Sequence, residues 1–272
     1  QALIYEQDFF DLTWAYLEKV NSQNVVHVEV FFDPQTHTDR GISFDVVIKG
    51  IYKALEKAKA EFKMSYRLIM SYLRHLSEEE AFKTLESSLP YKDWIDGIGL
   101  DSSELGNPPN KFVNVFKASA EQGYKLVAHA GEEGPVEYIW EALDLLNVVR
   151  IDHGNRCLDD DKLVETLIEK KMGLTLCPLS NLELKVIDKM ENHPVLKMLD
   201  KGILATIHSD DPAYFGGYMN ENYYETAKAL NLNNSHLMQL AINAFQVSWL
   251  SEEDKERHIS NVKNYFNSLS LN

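Results

Sequence analysis

The stretch ILATIHSDDPAYFG, residues 203–216, begins like a buried strand and then presents two adjacent carboxylates, Asp210 and Asp211, before a proline. Adjacent carboxylates repel one another unless a cation or hydrogen-bond donors offset the repulsion. A structural alternative stays open, because SDDP also resembles the aspartate-rich first turn of a helix with proline near its start. The pattern favours a strand that delivers chemically active groups at its carboxyl end.

The same organisation recurs along the whole chain. Short apolar or β-branched runs alternate with longer segments whose apolar residues follow the three- and four-residue spacing of a helix. Alternation at this pitch predicts βαβ units and a parallel sheet. The predicted strands are 24–32, 65–73, 95–101, 124–130, 148–154, 173–179 and 203–210, and the clearest helices between them are 43–62, 110–123 and 160–173.

The polar residues that end these strands separate two candidate folds. A doubly wound open sheet would spread them along an edge, whereas a (β/α)8 barrel brings all carboxyl ends to one mouth, where barrel active sites lie. We therefore predict an α/β fold, a (β/α)8 TIM barrel one strand short, as a single domain over residues 1–272. The polar strand ends are Glu29 and Asp33, Arg74 and His75, Asp101 to Glu104, His129 and Glu132, His153, Ser180 and Asn181, and Asp210 and Asp211.

Charge and cysteine content exclude several classes of partner. The formal net charge of −15 argues against a nucleic-acid polymer or an anionic membrane surface, because both need clustered Lys and Arg. The two cysteines form no disulfide framework, and no apolar run reaches the roughly 20 residues that span a bilayer. We expect a cytoplasmic protein that acts on a small molecule.

Two histidines, His129 and His153, are candidate site residues. His129 ends a strand in VAHAGEEGP, and Glu132 follows after two small residues that permit a tight turn, which suits a ligand with a nearby general acid/base. A histidine in this position is also commonly a structural, hydrogen-bonded residue. His153 in RIDHGNR is the weaker signal, because Arg150 and Asp152 also fit a surface ion pair around a packed ring. Imidazole and carboxylate ligands together suit zinc or a similar divalent ion.

Four blocks, HAGEEGP, RIDHGNR, LCPLSNLELKV and IHSDDPAYFGGYMNENY, resemble those of the adenosine/adenine deaminase family, a zinc-dependent (β/α)8 branch of the amidohydrolases. The segments FFDPQTHTDRG (31–41), GIGLDSSELGNPP (97–109) and DDPAYFGGY are more similar to the adenine deaminase branch, whose enzymes act on the free base. The resemblance runs from the first helix to residue 256 and therefore covers nearly the whole chain.

The resemblance implies hydrolytic deamination of adenine to hypoxanthine and ammonia by a zinc-activated water, a reaction of purine salvage. Two other activities stay open: deamination of adenosine or an N6-substituted adenine, and purine binding without turnover by a metal-poor fragment. The roles implied are metal ligands for His129 and Asp210, protonation of purine N1 for Glu132, orientation of the attacking water near C6 for His153, a hydrogen bond to N7 for Asp211 and a contact on the N3 side for Ser102.

One departure from the family pattern affects the metal. The family holds zinc with two further histidines in an HxH motif on its first barrel strand, and these 272 residues contain no His-x-His. We expect the absent motif and the missing strand to have the same cause, namely that the barrel is N-terminally incomplete. Zinc occupancy is then expected to be low. The strands that flank the gap, 24–32 and 203–210, would expose unpaired edges. These edges predict either self-association as a homo-oligomer or local disorder near residues 203–220.

Overall fold

The computed structural model describes residues 2–269 and contains seven strands in a sheet whose order follows the chain. The strand pairs β1–β2, β2–β3, β3–β4, β5–β6 and β6–β7 are parallel, and helical segments separate consecutive strands. All seven predicted strands are present, so the predicted alternation is confirmed. The strands are β1 His27–Phe32, β2 Ser65–Leu73, β3 Gly97–Asp101, β4 Lys125–Ala130, β5 Arg150–His153, β6 Gly173–Leu176 and β7 Leu204–Ile207.

Side-chain caps start several of the connecting helices. Ser43 and Ser77 each accept a backbone N–H from three residues ahead, and Asp160 accepts those of Lys162 and Leu163. The α-helices are α1 Glu6–Ser22, α2 Gln35–Thr38, α3 Phe44–Phe62, α4 Glu78–Ser88, α5 Val113–Glu121, α6 Val136–Asp144, α7 Asp161–Glu169, α8 Pro178–Glu183, α9 Val195–Asp200, α10 Pro212–Phe215, α11 Met219–Leu230, α12 Asn234–Val247 and α13 Glu252–Leu269. In residues 2–269, no helix combines the length and apolarity needed to cross a membrane.

The chain packs as two compact units, and β4 passes from one to the other. Unit 1 is the chain up to Ala128 with Asp144–Val148, and unit 2 is His129–Leu143 with the chain from Val149 onward. The expectation of a single domain stays a prediction.

Unit 1 is built on β1, β2, β3 and the first part of β4. Its α1 lies directly against α3 at Gly50, where a Cβ would come within 2.6 Å of the Phe9 Cβ. Fully buried apolar residues of β2 and β3 lie in the core of this unit, as in strands covered on both faces: Leu68, Ile69, Met70 and Ile98.

Unit 2 contains β5, β6 and β7, which are short and almost wholly buried. Helix α12 packs against β7, and the buried Asn243 donates through Nδ2 to the Ala205 carbonyl at 2.9 Å. Because each strand is only four residues long, the residues that follow β5 and β7 lie just beyond the carboxyl ends of these strands, close to the sheet.

One residue predicted to lie at a strand end does not. Glu29 lies in the middle of β1, where its carboxylate is 3.1 Å from His27 Nε2. The predicted strand 24–32 ends at Phe32, as β1 does, and Asp33 is the polar residue that follows it. Within residues 2–269, β1 and β7 each pair with a single strand, as expected for sheet edges. The self-association inferred from those edges stays a prediction.

A carboxyl pair occupies the carboxyl end of β1 and β3 in unit 1. Burial raises the pKa of Asp101 well above its usual range, and the Asp33 carboxylate beside it raises that pKa further. Burial also raises the pKa of Asp33, while the hydrogen bond donated by Asp101 opposes that shift. Asp101 therefore carries the proton of this pair.

We expect Asp101→Asn to make stability less dependent on pH. A raised pKa in the folded state contributes stability that is complete below the unfolded pKa, about 3.9, and is lost as the pH rises toward the folded pKa. Asparagine keeps a donor toward Asp33 without titrating. The unfolding free energy of D101N minus that of the unchanged protein should therefore be higher at about pH 8 than near pH 4.5, by on the order of 1 kcal/mol.

Thermal unfolding at both pH values tests this expectation, with Asp39→Asn as the control because Asp39 is exposed in the same unit. Equal pH dependence of the melting temperature in D101N and the unchanged protein would contradict the assignment of the proton to Asp101.

Candidate active site

The turn after β4 brings Glu132 back toward the strand that carries His129. Gly131 has φ +69°, and a Cβ there would come within 2.5 Å of the Ile139 side chain, so the turn requires glycine. The Gly131 carbonyl accepts the Arg156 N–H at 2.9 Å, which ties this turn to the segment following β5. The compact turn expected from the small residues is therefore present.

His153 is the last residue of β5 and meets both members of this turn. Its ring centroid lies 4.6 Å from that of His129, and its Nδ1 is 3.2 Å from Glu132 Oε1. Its side chain is 3% exposed and its φ is +63°, a left-handed conformation that is costly for histidine and often found at functional sites. The structure thus brings His129, Glu132 and His153 together, as the sequence predicted, although their catalytic roles stay predictions.

Asp210 and Asp211 leave β7 in different environments. Asp210 has φ +55° and is half-buried, and a carboxylate oxygen lies within 4.8 Å of ligand atoms of His153 and Cys177. Asp211 is exposed and occupies the N-cap position of α10, but its side chain makes no capping hydrogen bond. The backbone of Asp211 therefore lies at a helix N-cap, as the structural alternative predicts, but its carboxylate does not cap the helix.

The donor atoms around His153 fit a divalent cation. An imidazole nitrogen, a thiol sulfur and a carboxylate oxygen are the ligand types that zinc takes in proteins, and His129 stands next to this group. Cys177 is buried just after β6, and the sequence analysis did not include it among the ligands. Burial raises the pKa of the Cys177 thiol, and the nearby carboxylates of Asp210 and Glu132 raise it further, so without a cation the sulfur stays protonated.

Asp152 is a buried carboxylate next to His129, a proximity that the sequence did not reveal. Its Oδ2 lies 3.9 Å from His129 Nδ1, while its Oδ1 accepts from Thr175 Oγ1 at 3.0 Å and lies 3.5 Å from Arg150 Nε. Burial raises the Asp152 pKa, and Arg150 opposes the rise. The guanidinium of Arg150 lies 5.0 Å from the Trp249 ring centroid.

The surface ion-pair interpretation of Arg150 and Asp152 is therefore wrong, since both residues are buried. A charged residue inside a short predicted strand was the available signal in the sequence.

Ser102 and the pair Ser180 and Asn181 complete the residues singled out from the sequence. Ser102 lies in unit 1, is exposed with φ +74°, and has its Oγ 2.8 Å from His75 Nδ1. Its contact with a purine stays a prediction. Ser180 and Asn181 are fully buried on α8 in unit 2, and Asn181 donates to Glu132 at 3.1 Å.

Seven strands alternating with helices, with histidine and carboxylate donors gathered after β4, β5 and β7, define a hydrolase of the metal-dependent (β/α)-barrel class. A family model described as Adenosine deaminase matches residues 1–265. The chain belongs to the adenosine deaminase family.

Three individual proteins show how specific the similarity is. An adenine deaminase from Marinomonas sp. is 55% identical over 264 residues, which are 97% of this chain and 79% of the relative. The crystal structure of an adenine deaminase from Arthrobacter aurescens superposes with a TM-score of 0.95 at 43% identity, covering 97% of this chain and 81% of that one.

An amidohydrolase structure from Burkholderia ambifaria with bound zinc has a TM-score of 0.92 at 27% identity, covering 98% of this chain and 75% of that one. The predicted (β/α)-barrel fold is therefore confirmed, and family membership implies a divalent metal at the site.

Proposed function

We propose that this protein hydrolyses adenine to hypoxanthine and ammonia, as a step of purine salvage. The observation that carries the proposal is the contact between the Glu132 carboxyl and His153 beside the His129 ring, in a chain 55% identical to an adenine deaminase. A carboxyl held next to imidazole and away from bulk water suits proton transfer to a ring nitrogen.

Each polar group has a distinct task in this reaction. Glu132 passes a proton to N1, which makes C6 electrophilic, and His153 orients the water that then adds at C6. Of the two water protons, one restores the Glu132 carboxyl and the other goes to the amine. The C6–amine bond then breaks, ammonia leaves, and the water oxygen remains as the C6 carbonyl of hypoxanthine. Asp211, exposed at the start of α10, hydrogen-bonds N7, and Ser102 is proposed to contact the N3 side.

The metal that we propose is zinc, with His129 and Asp210 as ligands from this chain. His153 and Cys177 flank them with donor atoms of the same kind. A divalent ion at this place lowers the pKa of a bound water molecule toward neutrality. The buried Asp152 carboxylate, 3.9 Å from His129 Nδ1, is proposed to orient that ring when the metal is bound.

A substrate panel tests the proposed activity. Ammonia release from adenine, adenosine and N6-methyladenine is measured with the intact protein, and adenine is expected to be preferred by a factor of about 100 or more in kcat/KM, since unpaired groups in a site reject the wrong analogue. Faster turnover of adenosine or of the N6-substituted base would overturn the assignment of substrate.

Charge and cysteine content support the proposals on the binding partner and the location. A net charge of −15 fits a small purine better than a nucleic-acid polymer. Cys157 and Cys177 are both unpaired and buried, in keeping with a cytoplasmic location.

A further inference from the structure

Asn181 lies where it can control the orientation of the proposed acid/base. Its side chain is fully buried on α8, in the first turn after β6. Its amide Nδ2 donates to Glu132 Oε1 at 3.1 Å, across a separation of 49 residues. The same Oε1 lies 3.2 Å from His153 Nδ1, so Asn181 donates to a carboxyl oxygen that also faces the His153 ring.

Two neighbours determine which way the Asn181 amide faces. Asn155 Nδ2 donates to Asn181 Oδ1 at 2.9 Å, and His193 Nε2 lies 3.4 Å from the same oxygen. A flipped amide would set its NH₂ group against the NH₂ group of Asn155. The amide oxygen is therefore turned away from Glu132 and the amide nitrogen toward it.

The protonation of His193 agrees with this orientation. The Val195 N–H donates to His193 Nδ1 at 3.3 Å, so Nδ1 has no proton and the ring proton is on Nε2, facing Asn181. Burial lowers the pKa of His193 to about 3, which keeps the ring neutral at physiological pH. His193 is 3% exposed and is a fixed donor in this network.

We propose that Asn181 is a positioning residue for the deamination. By donating to Glu132 Oε1, it fixes the rotation of the carboxyl group so that the other oxygen, Oε2, faces the purine nitrogen. The proposal rests on the proposed function, because it assigns Asn181 to the same reaction. A carboxyl without this donor would rotate about its last side-chain bond, and misplacement by about 1 Å can cost up to 100-fold in rate.

The decisive variant is Asn181→Asp. Aspartate has the same shape and keeps an oxygen toward Asn155 and His193, but it replaces the donor that faces Glu132 with an acceptor. We expect kcat for adenine to fall about 10- to 100-fold, while the dissociation constant for adenine stays nearly unchanged. N181A is expected to behave in the same way.

Asn243→Ala is the matched control, because Asn243 is a buried asparagine whose amide bonds to the Ala205 backbone. It should lower the melting temperature and leave kcat unchanged. A wild-type kcat in N181D, or an equal loss of kcat in N243A, would overturn the proposal.

Crystal structures of N181D and the unchanged protein provide a readout independent of turnover. We expect the 3.2 Å contact between Glu132 Oε1 and His153 Nδ1 to be lost in N181D. An unmoved carboxyl refutes the positioning role. If the unchanged protein releases no ammonia from adenine, the proposed function fails, and the position of this carboxyl still decides whether Asn181 orients Glu132.

Discussion

Glu132→Gln lowers the rate of ammonia release from adenine by roughly 10²- to 10⁴-fold, the contribution typical of a positioned general acid/base. Glutamine has nearly the same shape and can still face His153 and Asn181, but it has no carboxyl proton to pass to N1. Adenine binding, measured by calorimetry, should remain largely intact. The measurement is kcat for ammonia release from the intact protein.

The neighbouring residue offers a matched control for this loss. Glu133 is exposed, one position along the same turn, and E133Q makes the same substitution on a side chain to which no catalytic task is assigned. Its activity should equal that of the unchanged protein. If E132Q keeps its rate, the role assigned to Glu132 is wrong.

Substitutions of the two adjacent aspartates after β7 are expected to impair different properties of the protein. Asp210→Asn removes the proposed carboxylate ligand next to His153 and Cys177, so metal affinity should fall by more than about 100-fold, beyond the usual cost of losing an outer-shell partner. Asp211→Asn should leave metal binding intact and raise KM for adenine roughly 10- to 100-fold, because a charged hydrogen bond to the base is lost.

Metal content by mass spectrometry after chelator titration, together with KM, separates the two variants. Equal metal loss in D210N and D211N would mean that the pair acts as one unit. Retention of metal in D210N with loss in D211N would reverse their roles.

The sequence by itself determined the parallel α/β architecture and much of the site. Apolar runs of strand length alternate with helical periodicity, and this alone predicts seven parallel strands. The turn from His129 to Glu132 was also readable, because two small residues between a histidine and a glutamate allow little else. These features are local: three to ten consecutive residues contain the whole signal.

Only the tertiary structure decided which distant groups meet. Asn181 and Glu132 are 49 residues apart, and their contact depends on the arrangement of α8 and the β4 turn. Asp152 looked like a surface residue because a charge in a strand of unknown depth gives no measure of burial. The raised pKa of Asp101 likewise arises only because β1, β2 and β3 align two strand ends, so that the carboxyl is buried beside Asp33. Burial and register arise from packing of the whole chain, and no short segment specifies them.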